Sequence, residues 1–313
     1  MLNYLIFMLK NCVRIFYTMM IRTYFILEVF RLKKGISIWS FPADMDIPNC
    51  LRLAKQAGFE GIELGLNENG PMSLESGAEE IKAYRELAEK EGIRISSLAT
   101  GLYWSYSLTS GSEEIRRKAM TIAKKQLAAA ELLGADTILV VPGAVGVDFI
   151  PGCEVVDYDD AYERALEAVK ELAGYAAEKK VNIGLENVWN KFLLSPLEMR
   201  SFIDSANSDF VGAYLDVGNV VYAGYPEQWV KILGKRIKKV HLKDYRRDVG
   251  GAAGFVDLLS GDVNYPAVVE ELKKAGYDSF VTAEMIPPAP FYKYYPEQLI
   301  YNTSNSMDRI LGK

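Results

Sequence analysis

From Lys34 onward, short apolar runs alternate with longer amphipathic stretches, and the alternation is regular enough to count. The apolar runs are Gly35–Ser40, Gly61–Gly65, Arg94–Ala99, Thr137–Val141, Asn182–Val188, Gly212–Asp216, Lys239–Lys243 and Phe280–Met285. Several are apolar at successive positions, with ILVV at 138–141 the clearest case. That is the pattern of strands covered on both faces. Between the runs, helical stretches are predicted over Asp46–Ala57, Leu74–Glu91, Ser112–Leu133, Asp159–Lys179, Pro196–Ser205, Glu227–Leu233, Tyr265–Ala275 and Tyr295–Ile310. In the fourth of these, Ala165, Ala168, Val169 and Leu172 recur at three- and four-residue spacing. Pro196 and Pro266 stand where first-turn prolines belong, and Gly134 and Gly276 where helices end.

Eight strands, each followed by a helix, predict a closed parallel barrel: a single-domain α/β fold of the (β/α)₈ TIM type over residues 34–313. An open doubly wound sheet is the competing arrangement. No Gly-x-Gly-x-x-Gly follows any of the strands, which weakens its nucleotide-binding version. Residues 1–33 break the rhythm. They are apolar and aromatic but interrupted by Lys10, Arg14, Arg22 and Glu28, so no apolar run reaches the roughly 18 residues needed to span a bilayer. No small-residue cleavage site marks a signal peptide. Five Lys/Arg against one Glu would suit a membrane-touching anchor. The preferred reading is an extension outside the fold, with the start near Met20 or later, because a barrel needs nothing before its first strand.

Composition narrows the function classes. The chain of 313 residues is half hydrophobic, ample for one large core. Its net charge of −5 and lack of a Lys/Arg block argue against a nucleic-acid partner and for small-molecule chemistry. Cys12, Cys50 and Cys153 are scattered and odd in number, so a reducing, cytoplasmic setting is expected.

In such a barrel, reactive side chains sit at the C-terminal ends of strands and converge on one mouth. Reading those ends gives Glu186 in VNIGLENVW, Asp216 in VGAYLDVGN, His241 in IKKVHLKDY and Glu284 in SFVTAEM. A carboxylate stripped of water in an apolar strand is costly unless it pairs or binds a cation. Three carboxylates and one imidazole are the ligand set of one divalent metal ion. Mn²⁺ is the first choice, with Co²⁺, Mg²⁺ or Zn²⁺ as alternatives. A lone histidine is more often structural than a ligand, but His241 stands between two acidic strand ends. The competing explanation is a buried salt-bridge cluster with Lys243, Arg246 or Arg247.

The motifs LEN, LDVGN, HLKD and TAE, in this order and at strand ends, resemble the sugar-phosphate isomerase/epimerase family of xylose isomerase-like barrels. The resemblance runs from about Lys34 to the C-terminus and is much less specific for substrate than for fold. It implies an epimerase or isomerase of a keto sugar or sugar phosphate, similar to ketose 3-epimerases and to L-ribulose- or L-xylulose-5-phosphate 3-epimerases. In the ketose 3-epimerases the two glutamates are metal ligands and also the acid and base. Carried over, Glu186 and Glu284 flank the substrate carbon, one removing an α-proton and the other returning one through a metal-stabilised enediolate. The family commonly places a substrate-holding arginine where Arg247 stands. Free-ketohexose epimerases carry a histidine where this chain has Asn219, which resembles the sugar-phosphate branch instead.

Other candidates are weaker. Lys243 and Arg246 could meet a phosphate or solvate a loop. Glu63, in GIELGL, could bond a sugar hydroxyl or serve as a structural carboxylate. Trp39, Trp104 and Trp189 follow strand ends and could stack on a sugar, although core packing is the commoner role. Gly250, Gly251 and Gly254 could hinge a loop over substrate or act as ordinary turn residues. The alternative chemistry is a lyase of the inosose dehydratase type, which shares the α-proton abstraction. A DNA-repair barrel of the endonuclease IV type needs several histidines and is disfavoured. A catalytically silent sugar-binding barrel is disfavoured by the intact glutamate pair. Related barrels are often dimers or tetramers, so a homo-oligomer is a further expectation by analogy.

Overall fold

The computed structural model describes residues 31–285 and 292–313; the segment read above as an N-terminal extension lies, up to residue 30, outside the described residues. Eight parallel strands close into a barrel: β1 (Lys33–Ser37), β2 (Gly61–Gly65), β3 (Arg94–Ala99), β4 (Thr137–Val140), β5 (Asn182–Glu186), β6 (Val211–Asp216), β7 (Ile237–Leu242) and β8 (Phe280–Ala283). Sequential strands are neighbours, and β8 returns to β1 through the register Gly35↔Thr282 and Ile36↔Ala283. The expected TIM architecture is therefore the observed one.

The helices are α1 (Ile47–Gln56), α2 (Ala78–Glu91), α3 (Glu113–Leu133), α4 (Tyr158–Lys179), α5 (Pro196–Ser205), α6 (Val217–Val221), α7 (Pro226–Leu233), α8 (Tyr265–Ala275) and α9 (Pro296–Leu311). Their boundaries follow local chemistry. Asp46, Ser112, Ser195 and Asn264 each cap a helix by accepting from a backbone N–H three residues on. Gly134 and Gly276 end α3 and α8 in the left-handed conformation. Along α4, Ala161, Ala165, Val169, Leu172 and Ala176 form the buried stripe. Truncating Leu172 alone to alanine would cost about 2–5 kcal/mol.

Departures from the periodic pattern at three places have a local reason. The chain leaves the barrel after Ser37, whose side chain accepts from Trp39 N–H and turns residues 38–40 into a single 3₁₀ turn. Residues 67–73 form a bridged loop, so α2 begins at Ala78 rather than Leu74. The short α6 escapes a periodicity search because DVGN contains a glycine, yet Asp216 caps it. A Cβ on Gly218 would stand 2.4 Å from Lys243 Cβ, so glycine is what lets α6 lie against the end of β7. Among the described residues, no helix is long and apolar enough to cross a membrane.

Candidate metal centre and substrate cavity

At the C-terminal end of the barrel, β5 ends on Glu186 and β6 on Asp216, β7 carries His241, and Glu284 follows β8 directly. The Asp216↔His241 and Thr282↔His241 registers set these side chains side by side. All four are buried, and one donor atom from each lies within 4.8 Å of the others. His241 Nδ1 is 3.3 Å from Glu284 Oε2, 3.6 Å from Glu186 Oε1 and 3.8 Å from Asp216 Oδ2.

The orientation of His241 is fixed from below. Its Nε2 lies 3.0 Å from Glu63 Oε1. The other Glu63 oxygen accepts from Tyr214 OH at 2.5 Å and Ser97 Oγ at 2.9 Å. Burial opposes ionisation of Glu63, but the neighbouring His241 charge and these hydrogen bonds hold its pKa below the ordinary carboxylate value. An ionised carboxylate can only accept, so Nε2 carries a proton, and Nδ1 is the ring atom that faces the three carboxylates. A carboxylate behind the histidine is how metal-binding imidazoles are commonly oriented.

The donor set fits a divalent cation on its own chemistry. Asp216 Oδ2, His241 Nδ1 and Glu284 Oε2 are buried, they converge on one point, and none has a neutral hydrogen-bond partner. The nearest positive charge is Lys243, whose ammonium stands 2.9 Å from Asp216 Oδ2 and also contacts Glu284 Oε2. The two glutamates respond oppositely to this setting. Burial pushes Glu186 up to about 7, whereas for Glu284 burial is outweighed by Lys243 and His241, which bring it to about 2. Burial also raises Asp216. Burial disfavours the charged form of His241, but Glu63 and Glu284 more than offset it and raise the ring's pKa well above its usual value.

A second network ties the motif residues together. Asn187 Nδ2 donates to Asp216 O and its Oδ1 accepts from Asp216 N–H, a reciprocal pair across the ends of β5 and β6. Asp216 Oδ1 accepts from Asn219 N–H at 2.8 Å, Asn219 Nδ2 donates to Asn187 O, and Trp189 Nε1 donates to Asn219 O. The asparagines of LEN and DVGN thus knit two ligand-bearing strand ends into one unit.

Above the four residues opens a cavity of about 830 Å³, lined by Glu186, Glu284, Lys243, Asn219, Trp39, Trp104, Trp189 and Phe149 among others. Lys243, Asn219 and Trp104 line this cavity, with Lys243 paired with carboxylates rather than free for a phosphate. Glu63 lies beneath the histidine, wholly buried, and bonds His241, Tyr214 and Ser97 in place of a sugar hydroxyl. Arg247 is not among the cavity residues. Its guanidinium donates to Val221 O and Gly224 O and stacks over Tyr225. Arg246 pairs with exposed Asp248.

The glycine-rich loop is anchored. Asp244–Tyr245 pairs with Phe255–Val256, and the Asp244 carboxylate accepts from the backbone N–H groups of Tyr245, Leu259, Gly261 and Val263. Sequence reading missed Asn187, Tyr214 and Ser97. Tyr214 carried a usable signal, since it lies two residues before Asp216 and so faces the same side of β6.

The match to the xylose isomerase-like TIM barrel family spans residues 51–302, most of the chain. The chain belongs to that family. A protein of Escherichia coli (strain K12), provisionally named as an L-ribulose-5-phosphate 3-epimerase, is 25% identical over 258 residues, 80% of this chain and 87% of its own length. An inosose dehydratase of Glaesserella parasuis is 27% identical over 144 residues, 40% of this chain and 48% of its own. Among solved structures, D-psicose 3-epimerase determined with D-fructose superposes with a TM-score of 0.74 at 16% identity, covering 90% of this chain and all of that one.

Proposed function

We propose that this xylose isomerase-like barrel is a divalent-metal-dependent epimerase or isomerase of a keto sugar, with Glu186, Asp216, His241 and Glu284 as metal ligands and Glu186 and Glu284 as base and acid. The carrying observation is the convergence of three buried carboxylates on a histidine nitrogen whose opposite edge is locked by Glu63. Mn²⁺ is the expected ion, with Co²⁺, Mg²⁺ and Zn²⁺ as alternatives for the same oxygen-rich set. When bound, it supplies Lewis-acid polarisation of the substrate carbonyl, which makes the adjacent C–H acidic enough to ionise.

The protein's own groups do the rest. One of the two glutamates takes the α-proton, leaving an enediolate, and the other returns a proton to the same carbon from the opposite face, inverting it. Return to the neighbouring carbon would interconvert aldose and ketose. Asn219 and Trp104 line the cavity and are proposed substrate contacts.

The test is incubation with Mn²⁺ in D₂O with free and phosphorylated keto sugars, followed by NMR. Deuterium at C3 with an inverted product is the expected outcome. Deuterium at C1 or C2 would mean aldose–ketose isomerisation. Loss of water would establish the dehydratase reading that the Glaesserella parasuis relative supports. No exchange with any sugar, metal being bound, would overturn the proposal.

A further inference from the structure

Lys243 follows β7 directly, and its ammonium stands 2.9 Å from Asp216 Oδ2 and in contact with Glu284 Oε2. Those two oxygens are the ones that face His241 Nδ1, at 3.8 and 3.3 Å. Asp216 has no other oxygen to turn to the cluster, because its Oδ1 accepts from Asn219 N–H and caps α6. A divalent ion held by the four residues and the Lys243 ammonium therefore need the same lone pairs. Two cations on shared oxygens in a buried site repel each other far more than they would in water. One of them has to yield.

Lys243 is anchored at its root. Its carbonyl accepts from Tyr265 OH at 3.0 Å, and Gly218 of α6 packs against its Cβ. Beyond Cβ the chain is an unbranched, flexible stem, and the residue lines the cavity above the four residues. Phe255 lines the same cavity and presents its ring 5.7 Å from the ammonium. That ring is itself fixed, stacked on Trp189 at 5.1 Å and paired through its backbone with Tyr245. An aromatic face attracts a desolvated ammonium. Rotation of the stem alone therefore carries the charge from the carboxylates to a second, prepared position.

We propose that Lys243 is an exchangeable counter-cation. Its ammonium holds Asp216 and Glu284 in the metal-free protein, turns toward Phe255 when a divalent ion takes those oxygens, and there donates to an oxygen of the substrate. This rests on the metal centre and the keto-sugar chemistry proposed above and gives Lys243 a part in both. Negative charge grows on the substrate oxygens as the α-proton leaves, and an ammonium fixed beside them stabilises that charge most in the transition state. The same movement ties readiness to ion binding, since the group that meets substrate is withheld until the carboxylates have another partner.

The first measurement uses the unaltered full chain. Its lysines are labelled with a limiting pulse of acetic anhydride, with and without saturating Mn²⁺, and each site is quantified by peptide mass spectrometry. Labelling of Lys243 should rise about tenfold with Mn²⁺, as an ion-paired amine becomes a released one. Lys239, buried at the other end of β7 against Asp136, is the internal control and should not change. Calorimetry then compares Mn²⁺ binding. Lys243→Met removes the competing charge, so it should bind Mn²⁺ about tenfold more tightly, while kcat for α-proton exchange falls about 10²-fold. A lysine with a merely structural role would lose affinity and turnover together. Mn²⁺ binding that leaves Lys243 as protected as before would overturn the proposal, and so would unchanged or weaker Mn²⁺ affinity in Lys243→Met. Tighter Mn²⁺ binding with undiminished exchange would remove the substrate contact. If the variant does not fold without the ion, the labelling of the unaltered chain still decides. A chain that binds no Mn²⁺ would sink the metal centre itself, a result distinct from Mn²⁺ bound beside a protected Lys243.

Discussion

The two ends of the barrel handle buried charge in opposite ways. At the N-terminal end, each buried ammonium meets a carboxylate that keeps part of its surface in water. Lys34 pairs with Asp308 at 2.5 Å and Lys239 with Asp136 at 2.8 Å, the two acids being 38% and 64% exposed. At the C-terminal end, three carboxylates and an imidazole are all buried around the single ammonium of Lys243, which contacts Asp216 and Glu284. The first arrangement is charge neutralised to close a fold. The second is an excess of negative charge that folding alone does not call for, held ready for a cation. That division matches the general rule for these barrels, in which one end serves stability and the other chemistry.

The sharpest way to break the comparison is to remove the chemistry and leave the frame. Glu186→Gln and Glu284→Gln should each lower kcat/KM by about 10³-fold or more, since general acid–base catalysis alone contributes roughly 10²–10⁴. Circular dichroism should stay unchanged. Either variant retaining near-normal turnover would show that the excess charge at the mouth is not the acid–base pair.

The next effect is on stability and separates the two ends directly. Lys243→Met removes the one ammonium among the mouth carboxylates and should destabilise the metal-free protein by about 3–5 kcal/mol, the usual cost of orphaning buried charge. Saturating Mn²⁺ should restore most of that loss, because a cation that binds only the folded state stabilises it by mass action. Thermal unfolding with and without Mn²⁺ measures both. A loss that Mn²⁺ leaves untouched would mean that Lys243 is structural and that no cation takes over its role.

Glu63 sharpens the comparison, because it belongs to the barrel interior yet serves the mouth. Glu63→Gln keeps the volume and a hydrogen bond to His241 but loses the charge that fixes its tautomer, so Mn²⁺ affinity should fall about 10- to 100-fold. Calorimetry on the variant reads this without any need for turnover. Unchanged affinity would leave Glu63 as packing.

How much of this was legible in the sequence follows from the length scale of each signal. The eight apolar runs and the four polar residues at their ends were readable because strand burial and strand-end position are local properties of a few residues, as in ILVV and LEN. The role of Glu63 was not, since its partners lie 34, 151 and 178 residues away, on three other strands. Arg247 was misleading for a related reason. Its position after HLKD is local, but the direction of its guanidinium is set by the carbonyls that α6 and the turn after it present. Residue types announce chemistry, and long-range contacts decide which groups are free to perform it.

The smallest expected effect lies at the opposite end of the barrel. Lys239 is as buried as any mouth residue, and burial holds its pKa below the usual lysine value despite the opposing pull of Asp136. Replacing it with methionine removes a desolvated ammonium, keeps the contact with the Phe280 ring, and leaves Asp136 largely in water. The lost ion pair and the regained desolvation energy should nearly cancel, so Lys239→Met should change stability by less than about 1 kcal/mol, with or without Mn²⁺. Set beside Lys243→Met, the same chemical change at the two ends of β7 separates a cation that balances a solvated partner from one that offsets buried excess charge. If denaturant melts showed Lys239→Met to be as costly as Lys243→Met, the ends of the barrel would not differ in kind, and the negative excess at the mouth would lose its standing as a functional signature.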